Sequence, residues 1–440
     1  MSRFFLEVYG CQMNRHEAGI VRRILSSAGY SETSDENEAD VLLMLTCSVR
    51  DHAEQRALGR LGDFRGLKER SPGRVVAVLG CVSQNLKAAL SSDHGADLVV
   101  GPDGYRRLPE LLASVLPSQS RIQDPKSKIG SPVFSLDQSP ECYDGIMPVP
   151  ESPVSGSVTV TRGCDNYCSY CIVPFVRGRE RSKPAAQVLA EARSLLDQGV
   201  KEVTLLGQNV LAYRSDGCDF SGLLQQVAAM PGIARVRFLT SHPRDVTERF
   251  LETIADTTKV CPALHLPLQS GSDRILELMN RRYTRAEYLE RVELARKLIP
   301  GLGLTTDIIV GFPQETDADY AATLELVRTI GYHYAYMFRY SVRPGTASEQ
   351  MGPAVPDAVA QERLKRLIAL QNDITRAHHR SLVGRRVELM VEGVAPRGGM
   401  TARTGDGTVV IVPGPVPVGT IRDFTVTRIS GWTPVAGPAN

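Results

Sequence analysis

The sequence predicts an α/β protein in three parts. These are an N-terminal doubly wound parallel sheet, a central open (β/α)6 partial barrel and a small C-terminal β-barrel. Three observations lead there. Over residues 1–117, fully apolar runs such as Val41-Leu42-Leu43-Met44-Leu45 and Val75-Val76-Ala77-Val78-Leu79 alternate with helical stretches. Strands of a parallel sheet covered on both faces look like this. From 155 to about 340, six further strand-like runs alternate with helical segments, as βα units of a barrel do. After 384 the helical period gives way to short β-rich runs cut by Gly and Pro.

Phe4–Tyr9 is the first run, and Gly10-Cys11 follows it. His16–Ala28 carries Ile20, Val21 and Leu25 at helical spacing and stops at Gly29. Val41–Leu45 ends at Thr46-Cys47-Ser48, and Arg50–Arg65 is helical. Val75–Leu79 ends at Gly80-Cys81, and Leu98-Val99-Val100 ends at Gly101. Cys11, Cys47 and Cys81 therefore each sit one or two residues past the C-terminal end of a strand. In a doubly wound sheet those ends form the edge where ligands bind. Buried, inert cysteines are common in cores, but three in register point to a shared iron–sulfur cluster with one iron left open.

Residues 118–150 have little periodicity and are rich in Pro, Ser and Lys, including Pro117, Ser118, Pro125 and Lys126. They are expected to form a linker that wraps the next domain, with Cys142 structural. The domains expected are thus 1–117, 151–383 and 384–440.

In the central part the strand-like runs are Ser157–Thr161, Glu202–Leu206, Arg235–Leu239, Ala263–Leu266, Gly303–Val310 and Tyr334–Phe338. Chemistry in such barrels lies at the C-terminal strand ends. The first strand is followed by Cys164, Cys168 and Cys171 in a C-x3-C-x2-C pattern. Three thiolates on a tight loop each reach one iron of a cubane and leave the fourth iron open for a chelating ligand. Zinc asks for a fourth Cys or His at similar spacing, and Ile172-Val173-Pro174-Phe175 offers none. Gln208, Ser241, Gln269 and Asp307 lie at or just past later strand ends. They are candidate contacts for a cofactor. Ser241 and Ser272 are equally suited to capping helices, Asp273 is better suited to capping, and His242 is equally suited to a general base or a structural role.

Residues 357–383 form a basic helix with Leu364, Leu367, Ile368 and Ile374 as an apolar stripe. Beyond it Val387–Val391, Gly407–Ile411 and Ile421–Arg428 are expected strands of a small barrel. Such barrels with loop arginines suit an RNA backbone. Trp432 either closes the barrel or stacks a base.

Net charge is only +2, so the balance by itself marks no nucleic-acid partner. The N-terminus carries no charged-then-apolar leader, and no run reaches bilayer length. A cytoplasmic protein without membrane contact is expected. Nine cysteines without a secretory signal indicate metal ligation or redox chemistry rather than disulfides.

The C-x3-C-x2-C loop, with the aromatic Tyr170 before its last cysteine, resembles the signature of the radical S-adenosylmethionine (SAM) superfamily. Nearly the whole chain resembles the methylthiotransferases of that superfamily. The matching residues are Tyr9-Gly10-Cys11-Gln12-Met13-Asn14, Thr46-Cys47-Ser48-Val49-Arg50, and Arg162-Gly163-Cys164 through Cys171 followed by Val173-Pro174-Phe175-Val176-Arg177-Gly178. Gln12-Met13-Asn14 fits the subgroup acting on isopentenyladenosine of tRNA. Sister enzymes acting on ribosomal protein S12 usually have Pro-Lys-Asn there, and those acting on threonylcarbamoyl-adenosine usually have Val-Asn nearby. Departures are Leu45 for a usual Asn, Gln314 for a usual Gly, and the loop Thr404-Gly405-Asp406-Gly407.

The resemblance implies two [4Fe-4S] clusters. The one on Cys164, Cys168 and Cys171 binds and cleaves SAM, giving a 5′-deoxyadenosyl radical. The one on Cys11, Cys47 and Cys81 carries or donates sulfur. It further implies methylthiolation of C2 of the modified adenine at position 37 of tRNA, recognition of the anticodon stem-loop through a C-terminal TRAM domain, and separate electron and sulfur donors. Arg282, within Met279-Asn280-Arg281-Arg282-Tyr283-Thr284, resembles the family position suited to the SAM carboxylate.

Overall fold

The computed structural model describes residues 2–49, 51–116, 131–353 and 355–438. The chain forms two compact units. The first comprises Met1–Glu151, Thr161–Asp165 and Cys171–Lys183, and the second comprises Ser152–Val160, Asn166–Tyr170 and Pro184–Asn440.

The first unit is built on a parallel sheet. Its order is Ser31–Glu32, Arg3–Val8, Val41–Thr46, Val75–Gly80, Leu98–Val100, Val133–Ser135. Every residue of the two central strands is buried. Alternate side chains explain why. Leu43, Leu45, Ala77 and Leu79 face a core with Ile20 and Val21 of the helix Gln12–Ser27. Leu42, Met44, Val76 and Val78 face Leu61 and Phe64 of the helix Asp51–Arg70. A strand covered on both faces has no polar face to spare, and Leu45 is core for that reason.

The stretch expected to wrap the next domain does otherwise where it is described. Val133–Ser135 adds a sixth strand to this sheet, pairing in parallel with Leu98–Val100. Tyr143 is fully buried, stacks on Tyr105 at 5.5 Å and donates to the Pro102 carbonyl. Burying one aromatic ring and satisfying its hydroxyl holds the segment to its own sheet. Residues 118–130 of that stretch, and Arg50, lie outside the described residues.

The second unit holds the six central strands. Ser155–Thr159, Glu202–Leu206 and Arg235–Phe238 form one parallel half, and Ala263–His265, Gly303–Val310 and Tyr334–Arg339 the other. A parallel bridge between Val236 and Val260 lies between the two halves. One continuous apolar core underlies both.

Arg386–Val394, Met400–Arg403, Val409–Val412, Thr433–Pro438 and Ile421–Ser430 close into a barrel in that order. Closure leaves no free sheet edge. Two of these strands, Met400–Arg403 and Thr433–Pro438, were not expected from the sequence. The first is four residues after a Gly-Gly turn, and the second contains two prolines.

This barrel is docked on the N-terminal ends of the central strands. Lys201 donates to the Gly419 carbonyl, and Arg235 to the Arg403 carbonyl and the Glu388 carboxylate. Arg237 donates to the Thr404 and Gly405 carbonyls and to Glu202. A Cβ on Gly303 would meet the Asp406 carbonyl oxygen at 2.2 Å. The unusual loop Thr404-Gly405-Asp406-Gly407 is thus a seat on the core. Trp432 is 44 % exposed and lies under the Arg376 guanidinium at 3.8 Å from the ring centroid. In the helix Asp357–Ser381, Leu367 is buried but Ile368 faces outward.

Candidate functional site

In the first unit, the three strand-end cysteines come together. Thr46 donates its hydroxyl to the Leu79 carbonyl at 2.6 Å, tying the end that carries Cys47 to the end that carries Cys81. Gly10 has φ +114, and a Cβ there would fall 2.3 Å from Cys47 Cβ and 3.2 Å from its Sγ. Gly80 has φ +97, and its Cβ would fall 2.5 Å from the Thr46 carbonyl oxygen. Only glycine allows both the backbone turn and the approach. Cys11 and Cys47 share a hydrogen bond, which holds the Cys11 thiol below its ordinary range and pushes Cys47 up. Burial pushes Cys81 up, against the pull of Arg177 beside it.

Arg177 and Arg162 converge on Glu17. Arg177 Nη1 donates to Oε1 at 2.6 Å and Arg162 Nη1 pairs with the same oxygen at 3.0 Å. Burial alone would raise the Glu17 carboxyl, yet the two guanidiniums hold it at about 2. Arg162 also pairs with Asp103, which Arg181 shares, so three arginines face two carboxylates next to three thiols. A positive surplus in a dry interior calls for an anion. A cluster held by three thiolates supplies one, so the residues present fit an iron–sulfur group here.

Cys164 and Cys171 also belong to the first unit. The amide of Cys164 bonds to the Gly178 carbonyl at 3.3 Å, and Asp165 accepts from Arg179 Nε at 2.8 Å. The polar contacts of Asp165 and the Cys164 amide fasten the start of the loop to the Gly178–Arg179 turn.

Cys168 and Tyr170 belong to the second unit. Ser169 anchors them: its amide donates to the Met279 carbonyl and its hydroxyl to the Leu278 carbonyl. Arg281 is the buried basic residue at this place. Its Nη1 lies 3.3 Å from Cys168 Sγ and 3.5 Å from the Tyr170 hydroxyl, and its Nη2 donates to the Pro267 carbonyl. Arg282 is exposed, at φ 59, with its Nε donating to Asn280. Adjacent residues at a turn point apart, and sequence alone could not say which one turns inward.

The other strand-end residues divide by what already holds them. Gln208 is half-buried in the loop after Glu202–Leu206. Ser241 donates to the His265 carbonyl. Gln269 bonds its backbone to Asp307 and Ile309 at φ 68, and its buried Oε1 has no protein partner. A buried acceptor without a donor is costly, so Gln269 fits a bound ligand best. Asp307 stands inside the strand Gly303–Val310 rather than at its end, and lies 3.4 Å from His265 Nε2. Ser272 caps the helix Asp273–Leu278, and Asp273 accepts from the Arg285 amide. His242 accepts from the Arg244 amide, and burial, helped by Arg281 and Arg244, brings it down to about 2. Such an imidazole is a poor base at neutral pH. Backbone strain collects at these ends too, with Tyr167, Thr240, Gln269, Asn280, Arg282 and Gln314 all at positive φ.

Sequence reasoning missed Arg177 and Arg281. Both partner residues more than a hundred positions away, and no local pattern marks that.

Three family models match the chain: the uncharacterized protein family UPF0004 at residues 3–101, the radical SAM superfamily at 158–327 and the TRAM domain at 380–433. The tRNA-2-methylthio-N(6)-dimethylallyladenosine synthase of Bacteroides thetaiotaomicron is 43% identical over 98% of this chain and 95% of its own. The protein of that name from Moorella thermoacetica is 42% identical over 98% of this chain and 96% of its own. Among solved structures, the radical S-adenosylmethionine methyltransferase TsrM of Kitasatospora setae superposes with a TM-score of 0.59 at 16% identity. The superposition covers 79% of this chain and 77% of that one. That likeness supports the fold.

Proposed function

The chain belongs to the family of tRNA-2-methylthio-N(6)-dimethylallyladenosine synthases, radical SAM methylthiotransferases, and on that premise we propose that it places a methylthio group on C2 of N6-isopentenyladenosine at position 37 of tRNA. The observation that carries the reading is the second set of thiols, Cys11, Cys47 and Cys81, gathered at one sheet edge.

Cys164, Cys168 and Cys171 would hold a [4Fe-4S] cluster that, when bound, supplies the electron needed to cleave SAM. Arg281 donates to Cys168 Sγ and so orients that ligand. Gln269 offers its unused acceptor to SAM, and Tyr170, Gln208, Ser241, Arg282 and Asp307 are the further candidate contacts. The aryl C–H bond at C2 has no useful acidity, so a side-chain base cannot open it, and His242 is no such base. Cys11, Cys47 and Cys81 would hold a second [4Fe-4S] cluster as sulfur carrier. Electrons and sulfur come from separate donors. The closed C-terminal barrel, with Arg385, Arg397 and Arg422 in its turns and strands, would bind the anticodon stem-loop. No helix among the described residues is long and apolar enough to cross a membrane, and we place the reaction in the cytoplasm, with its RNA substrate.

The test compares Cys47→Ala and Cys168→Ala with the parent, each reconstituted anaerobically and checked for folding by circular dichroism. Cys47→Ala should still form 5′-deoxyadenosine from SAM and dithionite yet make no methylthiolated tRNA, and Cys168→Ala should make neither. A folded Cys47→Ala that delivers methylthio groups at the parental rate sinks the sulfur-carrier role. Nucleoside analysis of tRNA set against the mass of ribosomal protein S12, with and without the protein, decides the substrate. A mass gain on S12, or on threonylcarbamoyl-adenosine, sinks the isopentenyladenosine reading.

A further inference from the structure

We propose that Arg177 is a positioning residue for the second thiol site, donating a hydrogen bond to the Cys81 sulfur and setting the reduction potential of the cluster held there. The inference rests on the two-cluster reading above. Arg177 ends the short helix Val173–Arg177, which begins two residues after Cys171. Ile172 and Val176 pack directly on Cys81 as a small apolar cluster. The backbone that carries Arg177 is therefore fixed by contact with Cys81 itself.

The guanidinium is held as firmly as the backbone. It is 4% exposed. Nη1 and Nη2 grip both oxygens of Glu17, at 2.6 and 3.2 Å, and Nη2 lies 3.4 Å from Asn14 Oδ1. Asn14 and Glu17 stand on the first turns of the helix Gln12–Ser27, whose N-cap is Cys11. Arg177 is thus clamped between the helix that starts at one thiol and the strand end that carries another. Glu17 is shared with Arg162, and Asp103 beside Arg162 is shared with Arg181, so two carboxylates serve three guanidiniums. The remaining positive charge lies against Cys81 and Cys11.

The direction of the effect follows from charge. Reduction adds an electron to a cluster that is already anionic. A buried cation and an N–H donor to a ligand sulfur both favour the more negative form and raise the potential. The same arginine also links the two cysteine motifs, because it follows the third cysteine of the C-x3-C-x2-C loop by a single helical turn.

The experiment uses full-length protein with Cys164, Cys168 and Cys171 all changed to Ala, so that one cluster remains. Iron analysis of this parent tests the two-cluster reading: an iron-free protein sinks that reading and the role of Arg177 with it, whereas an iron-replete parent leaves Arg177 to be tested alone. In redox titrations followed by electron paramagnetic resonance, Arg177→Gln should lower the reduction equilibrium at least tenfold, about 59 mV for one electron, with Arg177→Lys between it and the parent. A parental midpoint in an iron-replete Arg177→Gln protein overturns the proposal. Should Arg177→Gln hold no iron, pulsed resonance on the parent grown with 15N-arginine decides. A nitrogen coupling to the reduced cluster that Arg177→Lys abolishes supports the proposal, and no coupling overturns it.

Discussion

Gly10 and Gly29 share a left-handed backbone and differ in what surrounds them. At Gly29, φ +87, a Cβ would meet nothing within 4 Å, whereas at Gly10 it would collide with Cys47. Gly29→Ala should cost about 1 kcal/mol, the strain of φ alone. Gly10→Ala should cost more than about 2 kcal/mol, because the collision adds to the strain, and should lose the iron of the second site. Urea denaturation and iron analysis check the pair; equal costs in the two variants would rule out close approach as the reason for Gly10. This scale also bounds what sequence could tell. The cysteines and Gln269 were nameable from their places at strand ends. That Arg281 rather than Arg282 turns inward, and that Arg177 reaches Glu17, depends on packing between distant segments.

Elements follow the same division. The strands Val41–Thr46 and Val75–Gly80 were legible because burial on both faces demands unbroken apolar runs. Val133–Ser135, Met400–Arg403 and Thr433–Pro438 were not. They are short, and their place is fixed by neighbours already in the sheet rather than by their own pattern. The seat of the C-terminal barrel yields two predictions. Arg237 joins the buried Glu202 to two loop carbonyls, so Arg237→Leu strands a buried carboxylate. It should cost about 3 kcal/mol and raise hydrogen exchange in residues 404–407. Parental stability and exchange would show the seat is held otherwise.

The second prediction concerns pH. His333 and His378 meet edge to face, ring centroids 3.9 Å apart, beside Asp406 of the same loop. Burial lowers both imidazoles, His378 to about 4 from 6.5. Their unfolded forms bind protons first on acidification. The stability they allow is complete above about pH 6.5 and is lost as pH falls toward 4. Between pH 7.5 and 5 the loss should be about 1 kcal/mol, discounted for partial exposure. His378→Asn should flatten that slope. His333 Nδ1 accepts from the Leu304 amide, so the neutral ring carries its proton on Nε2 and is unsuited to hold a metal there. A slope unchanged in His378→Asn would assign the acid sensitivity elsewhere.

At the scale of the whole molecule, charge is nearly balanced at +2, so affinity for RNA has to come from local arrangement rather than net field. Removing residues 384–440 should weaken tRNA binding across a salt titration while leaving SAM cleavage in the absence of tRNA largely intact. It also uncovers Arg235 and Arg237, so the shortened protein should melt at a lower temperature as well. Undiminished tRNA affinity would dismiss the barrel as an RNA contact.

Arg235, Lys201 and Gly303 seat that barrel at the starts of the central strands, whereas Cys168, Gln269 and Arg281 lie past their ends. Along the strand Gly303–Val310, Gln269 bridges Ile308, so the two levels are about 17 Å apart. If one end grips the stem and the other receives the loop base, the strand between them acts as a ruler for the RNA.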